Sequence, residues 1–178
     1  MIELSDYDSI WNDKFLLLKN ELLISCKELI VDIEHIGSTS IKGMKAKDIV
    51  DVQCSIKDFN DVALLKPKLE LIGFEYIEDF KQDHVPFKDH TYFSSDWEKR
   101  FFKGLYNNQE YNIHIRKVGS LNWQFALKFR DFLSTNAQAR YSFMQFKERV
   151  AQSEIDLFSY CHIKDSVIDL MSLQFFSV

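Results

Sequence analysis

The chain has 178 residues, 46% of them apolar and 16 of them Phe, enough for a real hydrophobic core and too apolar for a disordered chain. Its 22 basic and 27 acidic residues give a net charge of −5 with no long run of one sign, which excludes the broad basic footprint of a duplex nucleic-acid binder. A local basic pocket for a phosphorylated small molecule stays compatible with that balance.

Asp8 is placed to cap a first helix, in which Trp11, Phe15, Leu18 and Leu22 recur at helical spacing and which fades around Cys26 to Ile30. A short strand, Asp32 to Ile36, ends at Gly37. A turn or short helix then leads to a second strand, Ile49 to Ile56. Within it Val50, Val52, Cys54 and Ile56 face one way, and Asp51, Gln53 and Ser55 the other. Asp58 caps a predicted helix through about Ile72, ended by Gly73 and carrying Pro67 inside it. Glu78 to Glu98 reads as loop with a short strand around Thr91 to Phe93.

Two arms, KRFFKGLY and EYNIHIRK, flank Asn107-Asn108-Gln109 and read as a hairpin, because Asn tolerates the positive φ of tight turns. In the second arm Asn112, His114 and Arg116 share a face opposite Tyr111, Ile113 and Ile115. Helices follow at about Leu121 to Thr135, Ala137 to Ala151 and Lys164 to Phe175. The expected fold is α+β: one mixed sheet covered by helices, with a helical C-terminal segment. The whole chain, 1–178, is expected to form a single domain, with a sheet core to about residue 120 and the helical segment after it.

Cys26, Cys54 and Cys161 are widely spaced and contain no C-x-x-C pair, so a reduced, cytoplasmic setting is expected. The start, MIELSDYDSIWNDK, is too acidic and polar for a signal peptide. No stretch approaches the roughly 20 apolar residues of a membrane span, so no membrane partner is expected.

The strongest local signal is His35-Ile36-Gly37-Ser38-Thr39, followed by Lys47-Asp48-Ile49-Val50-Asp51. Gly37 lets the backbone turn sharply and approach a ligand. Ser38 and Thr39 offer hydroxyls and amides to phosphate oxygens. Asp51, on the polar face of the next strand, can hold a divalent cation bridging those phosphates.

HIGSTSIKGMKAKDIVD resembles the early motif of GrpB-like proteins, an uncharacterised family (UPF0157) also found fused to dephospho-CoA kinase. The resemblance continues in YNIHI with His114, in LKFRDFL with Arg130 and Asp131, at Tyr141 and Lys147, and at Tyr160 and Lys164. It implies a nucleotidyltransferase-like fold, whose signature is a Gly-Ser turn followed by an Asp-x-Asp or Asp-x-Glu strand. It also implies a site with Asp51, Gln53 and His114 at its catalytic centre and Mg²⁺ on Asp51. Gly37, Ser38, Thr39, Lys47 and Lys164 would then hold the phosphates of a nucleoside triphosphate or other phosphorylated small molecule.

Two positions depart from the superfold's pattern. Gln53 stands where active members carry a second carboxylate, and His114 takes the place of the third. Such a set would bind one cation, and more weakly. Asp48 stands where the family commonly has Pro; three residues from Asp51 along a strand, it falls on the other face and is not counted as a ligand.

Other polar residues carry weaker signals. His84 and His90 sit beside Asp83 and Asp89, in a spacing that fits no zinc pattern. Arg130 and Asp131 suit an ion pair tying their helix to the sheet, or a substrate contact. Lys103, Arg116 and Lys147 are further cations for a phosphate, behind Lys47 and Lys164.

The expected activity is transfer of a nucleoside monophosphate from a triphosphate to an acceptor. The alternative is a non-catalytic nucleotide- or phosphometabolite-binding accessory module related to coenzyme A biosynthesis. A purely structural interaction protein fits poorly with so polar a strand face.

Overall fold

The computed structural model describes residues 3–86, 94–153 and 155–176, with Leu157, Phe158, Tyr160 and Cys161 described by their backbone alone. The elements are α1 (Ile10–Cys26), β1 (Asp32–Ile36), β2 (Ile49–Ile56), α2 (Val62–Leu71), β3 (Phe74–Tyr76), β4 (Lys99–Tyr106), β5 (Gln109–Lys117), α3 (Leu121–Thr135), α4 (Ala137–Gln152) and α5 (Leu157–Phe175). Single 3₁₀ turns occupy Ser38–Ser40, Phe59–Asp61 and Ser94–Trp97.

The strands form one sheet in the order β1-β2-β5-β4-β3, parallel between β2 and β5 and antiparallel at the other junctions. This is the expected mixed α+β architecture. The period-two pattern decides its faces. Ile33, Val52, Cys54, Ile113, Ile115 and Phe102 are buried together with Trp11, Phe15, Leu18 and Leu22 of α1 and Leu65 and Leu69 of α2. Each Leu or Phe so buried contributes about 1.5–3 kcal/mol. Asp48, at the entrance to β2, ties α1 to the sheet by accepting the Trp11 indole N–H at 2.7 Å.

The other face carries Glu34, Asp51, Gln53, Asn112, His114 and Arg116, brought side by side by the β1–β2 and β2–β5 registers. α3 lies across it. Gln53 donates to the Trp123 carbonyl, and Arg130 reaches Glu34 and the His35 carbonyl. A second small core of Ile41, Met44 and Leu133, packed by Phe129, Phe132 and Phe143, pins the segment after the first turn against α3 and α4.

Departures from the sequence reading are local. Strand β3 was not anticipated; its Phe74 pairs with Gly104, where any Cβ would meet the Gly73 carbonyl oxygen at 2.1 Å. The helix expected from Asp58 begins as a 3₁₀ turn and becomes α-helical only at Val62, then runs through Pro67. The hairpin turn is two residues, Asn107 and Asn108, both at positive φ, and Gln109 already belongs to β5. The last helix starts at Leu157, seven positions before Lys164, with Asp156 accepting the Ser159 amide. The strand expected around Thr91 to Phe93, and the pair Asp89 and His90, lie outside the described residues.

Candidate functional site

Gly37 has φ 71° and ψ −173°, a backbone region essentially restricted to glycine. A Cβ built there would lie 2.3 Å from Asp51 Oδ2. The turn thus passes directly over the Asp51 carboxylate, which no other residue would permit. Ser40 Oγ donates to the Gly37 carbonyl at 2.6 Å and tightens the turn. The Thr39 hydroxyl is buried, 3.0 Å from His35 Nε2, and His35 in turn stacks on Phe15 at 4.8 Å. Burial, opposed by Asp51 and joined by Arg130, lowers the His35 pKa to about 4. His35 is therefore a neutral structural partner of Thr39 at neutral pH.

Asp51 Oδ1 accepts from Asn112 Nδ2 at 2.9 Å and faces His114 Nε2 at 3.6 Å, too long for a good hydrogen bond. Burial pushes the carboxyl up, but His114, Asn112 and the charge of Lys164 more than offset it and hold it ionised, below the usual range. His114 is lowered, first by burial and then by Arg116 and Lys99, against the pull of Asp51. Its ring lies against Phe101, and its buried Nδ1 has no hydrogen-bond partner among the described residues.

The opposite wall of the turn is Lys147 of α4, only 2% exposed. Its ammonium donates to Ser38 Oγ at 2.9 Å and to the Lys45 carbonyl at 2.5 Å. Neither oxygen is charged, and the neighbouring Glu148 pairs instead with Lys45 at 2.7 Å. Burial, then Lys164 and Lys47, lower the Lys147 pKa to about 7. Of the lysines, Lys147 touches the serine, and Lys47 before β2 and Lys164 on α5 are near enough to Lys147 to act on its charge.

The structure brings most of the sequence-derived residues to this place, in unequal roles. Gly37 lies directly over Asp51, Ser38 meets Lys147, Lys164 acts on the charge of both Asp51 and Lys147 and Lys47 on that of Lys147, and His114 stands 3.6 Å from Asp51. Gln53 shares the face, but its side chain is buried and bonded: Oε1 accepts from Arg116 and Nε2 donates to the Trp123 carbonyl. Arg116 and Lys99 also clamp Asp83, at 2.9 and 2.7 Å, and Asn122 adds a third donor at 3.0 Å. Against burial, these cations keep the Asp83 carboxyl far below its usual range. His84 lies 2.7 Å from Asp169 and 3.6 Å from Asp165 of α5, a link between loop and helix. Asn112 was missed, although it stands two residues before His114 on the same polar strand face. Lys147 was ranked behind Lys47, because nothing in a helical sequence announces which lysine turns inward.

Mg²⁺ is commonly held by one or two carboxylates, with waters and substrate phosphates filling its other positions. Here the one carboxylate has Oδ1 engaged by an amide donor and Oδ2 against Gly37, and the Gln53 carbonyl oxygen is engaged by Arg116. Among the described residues no three His, Cys, Asp or Glu side chains are placed to hold a metal. Asp51 is the carboxylate beside the turn that could hold such a cation, through the lone pairs its Asn112 contact leaves open and together with the phosphates of a ligand.

The family model described as GrpB protein matches residues 1–173. The chain belongs to the GrpB family. It is 31% identical over 162 residues to a dephospho-CoA kinase of Mycobacterium tuberculosis, covering 83% of this chain and 40% of that protein. The chain thus spans well under half the length of the dephospho-CoA kinases it matches. It is 28% identical to UPF0157 protein BH1888 of Halalkalibacterium halodurans over 169 residues, 94% of this chain and 78% of that one. The crystal structure of the conserved protein GrpB from Enterococcus faecalis superposes with a TM-score of 0.77 at 24% identity, covering 97% of this chain and 96% of that one, a likeness of fold. Among the described residues no helix is long and apolar enough to cross a membrane.

Proposed function

We propose that this GrpB-family chain binds a phosphorylated small molecule, a nucleotide or phosphometabolite, with a phosphate seated between Ser38 and Lys147 beside the Gly37 turn. The observation that carries this reading is the buried Lys147 ammonium, 2.9 Å from Ser38 Oγ and bonded among the described residues only to uncharged oxygens. A buried charge without a charged partner is costly, and an anionic ligand compensates it. An ammonium has three N–H donors; Ser38 and Lys45 engage two, which leaves one for a phosphate oxygen. Lys47 and Lys164 add positive charge to its surroundings. Similarity to part of proteins named dephospho-CoA kinase suits a nucleotide as ligand and an accessory role beside coenzyme A chemistry.

Nucleotidyl transfer is the second reading, favoured by Asp51, an ionised carboxylate next to the turn. The neutralisation of developing phosphate charge would then fall to the lysines.

Thermal denaturation with ATP tests binding, because a ligand of the folded state raises the melting temperature. Millimolar ATP should raise it in the wild type. Ser38→Ala combined with Lys147→Met should abolish the rise. No shift with ATP in the folded wild type would refute the reading.

A further inference from the structure

We infer that Ser38 is a nucleophilic hydroxyl and Lys147 its general base, a serine–lysine pair that takes the acyl group of an uncharged carboxylic ester and passes it to water. The inference goes beyond phosphate binding and stands on the contact between the two side chains.

The turn Ser38–Ser40 carries three hydroxyls with different neighbours. Ser40 Oγ is engaged by the Gly37 carbonyl at 2.6 Å, and the Thr39 hydroxyl is buried 3.0 Å from His35 Nε2. Ser38 is partly exposed, and its Oγ lies 2.9 Å from Lys147 Nζ, within the reach a base needs on its nucleophile. Lys147 is held in place: it is buried, its Nζ sits on the Lys45 carbonyl, and the centre of the Phe143 ring is 5.5 Å away. None of these partners is a carboxylate that would keep the amine protonated.

The charged groups that act on Lys147 are Lys164 of α5, Lys47 ahead of β2, Asp51 of β2 and Glu148 of α4, the last paired with Lys45. Burial and the two lysines outweigh the two carboxylates and lower its pKa to about 7, so a large share of it is neutral at neutral pH. A neutral amine keeps an N–H for the Lys45 carbonyl and turns its lone pair to the Ser38 hydroxyl at the same distance.

The neutral base selects the electrophile. An anionic phosphate favours the charged lysine, which cannot take a proton, whereas an ester carbonyl is uncharged and leaves the amine neutral. Ser38 Oγ bonds to the carbonyl carbon as its proton passes to Lys147 Nζ. The ammonium returns that proton to the alcohol oxygen as the C–O bond breaks, and the alcohol leaves. Water then attacks the Ser38 ester in the same way, releasing the carboxylic acid and restoring the hydroxyl.

The test treats the full chain with an uncharged alkyl fluorophosphonate, which loses fluoride to an activated serine, and locates the adduct by mass spectrometry. Hydrolysis of p-nitrophenyl acetate is followed in parallel. The wild type should acquire an adduct on Ser38, at a rate that rises with pH through about 7 and then levels off as Lys147 becomes neutral. Lys147→Arg keeps a positive charge for phosphate but cannot act as a base, and should slow both reactions by roughly a hundredfold or more. No adduct on Ser38 on either side of that pH, or a Lys147→Arg variant that reacts at the wild-type rate, would overturn the inference. ATP binding by a wild type that acquires no adduct would do so while leaving the phosphate site standing. The wild-type labelling profile needs no variant, so a misfolded mutant cannot obscure the result.

Discussion

Gly37 is the residue on which the site's geometry depends, through its positive φ and through the 2.3 Å between a built Cβ and Asp51 Oδ2. Gly37→Ala should destabilise the fold by about 2 kcal/mol or more, read from chemical denaturation, since backbone strain and a carboxylate clash coincide. A loss below a few tenths of a kcal/mol would show that the turn relaxes freely. His35 gives a pH test. Its folded pKa of about 4 lies below the ordinary 6.5, so between those values the unfolded chain binds a proton that the folded one refuses. Stability is therefore intact above about pH 6.5 and falls as the pH drops toward 4, by about 3 kcal/mol in all. His35→Gln should flatten that slope. Equal slopes for the two proteins would place His35 outside the acid transition.

At the scale of elements, what the sequence revealed followed periodicity and turn chemistry. β2 and β5 were legible because apolar and polar residues alternate without interruption. The hairpin was legible because two Asn stand where φ is positive, 47° and 61°. β3 was not, because three residues after a glycine carry too little pattern to separate a strand from a loop. The same limit governed the site. Gly37 and Asp51 are close in sequence and their meeting could be inferred, whereas the approach of Lys147 to Ser38 joins positions 109 apart and follows only from helix packing. The Asp83 network was invisible for the same reason, and it is what joins the segment before β4 to β5 and α3. Asp83→Asn leaves Arg116 and Lys99 buried with a weakened partner and should cost about 3 kcal/mol in urea denaturation. A cost under 1 kcal/mol would mark the network as a solvated surface cluster.

Across the whole molecule, the two helical layers have different tasks. α1 and α2 cover the apolar face of the sheet and build its core. α3 covers the polar face, α4 and α5 pack against α3, and Lys147 of α4 reaches the turn between β1 and β2. The proposed phosphate site therefore lies on the face of the sheet opposite its main apolar core. With Lys147 lowered to about 7, the proposed phosphate binding would be proton-linked. A bound anion favours the charged lysine, so ATP affinity measured in EDTA should fall as the pH rises from 7 toward 9, and Lys147→Arg should remove that dependence.

The most direct measurement is a crystal structure of the protein soaked with ATP. The account predicts phosphate density within hydrogen-bond distance of both Ser38 Oγ and Lys147 Nζ, beside the Gly37 turn. Density for the phosphates elsewhere would contradict it, for example in the hollow of about 460 Å³ bordered by Lys47, Asp48, Leu105 and Gln109.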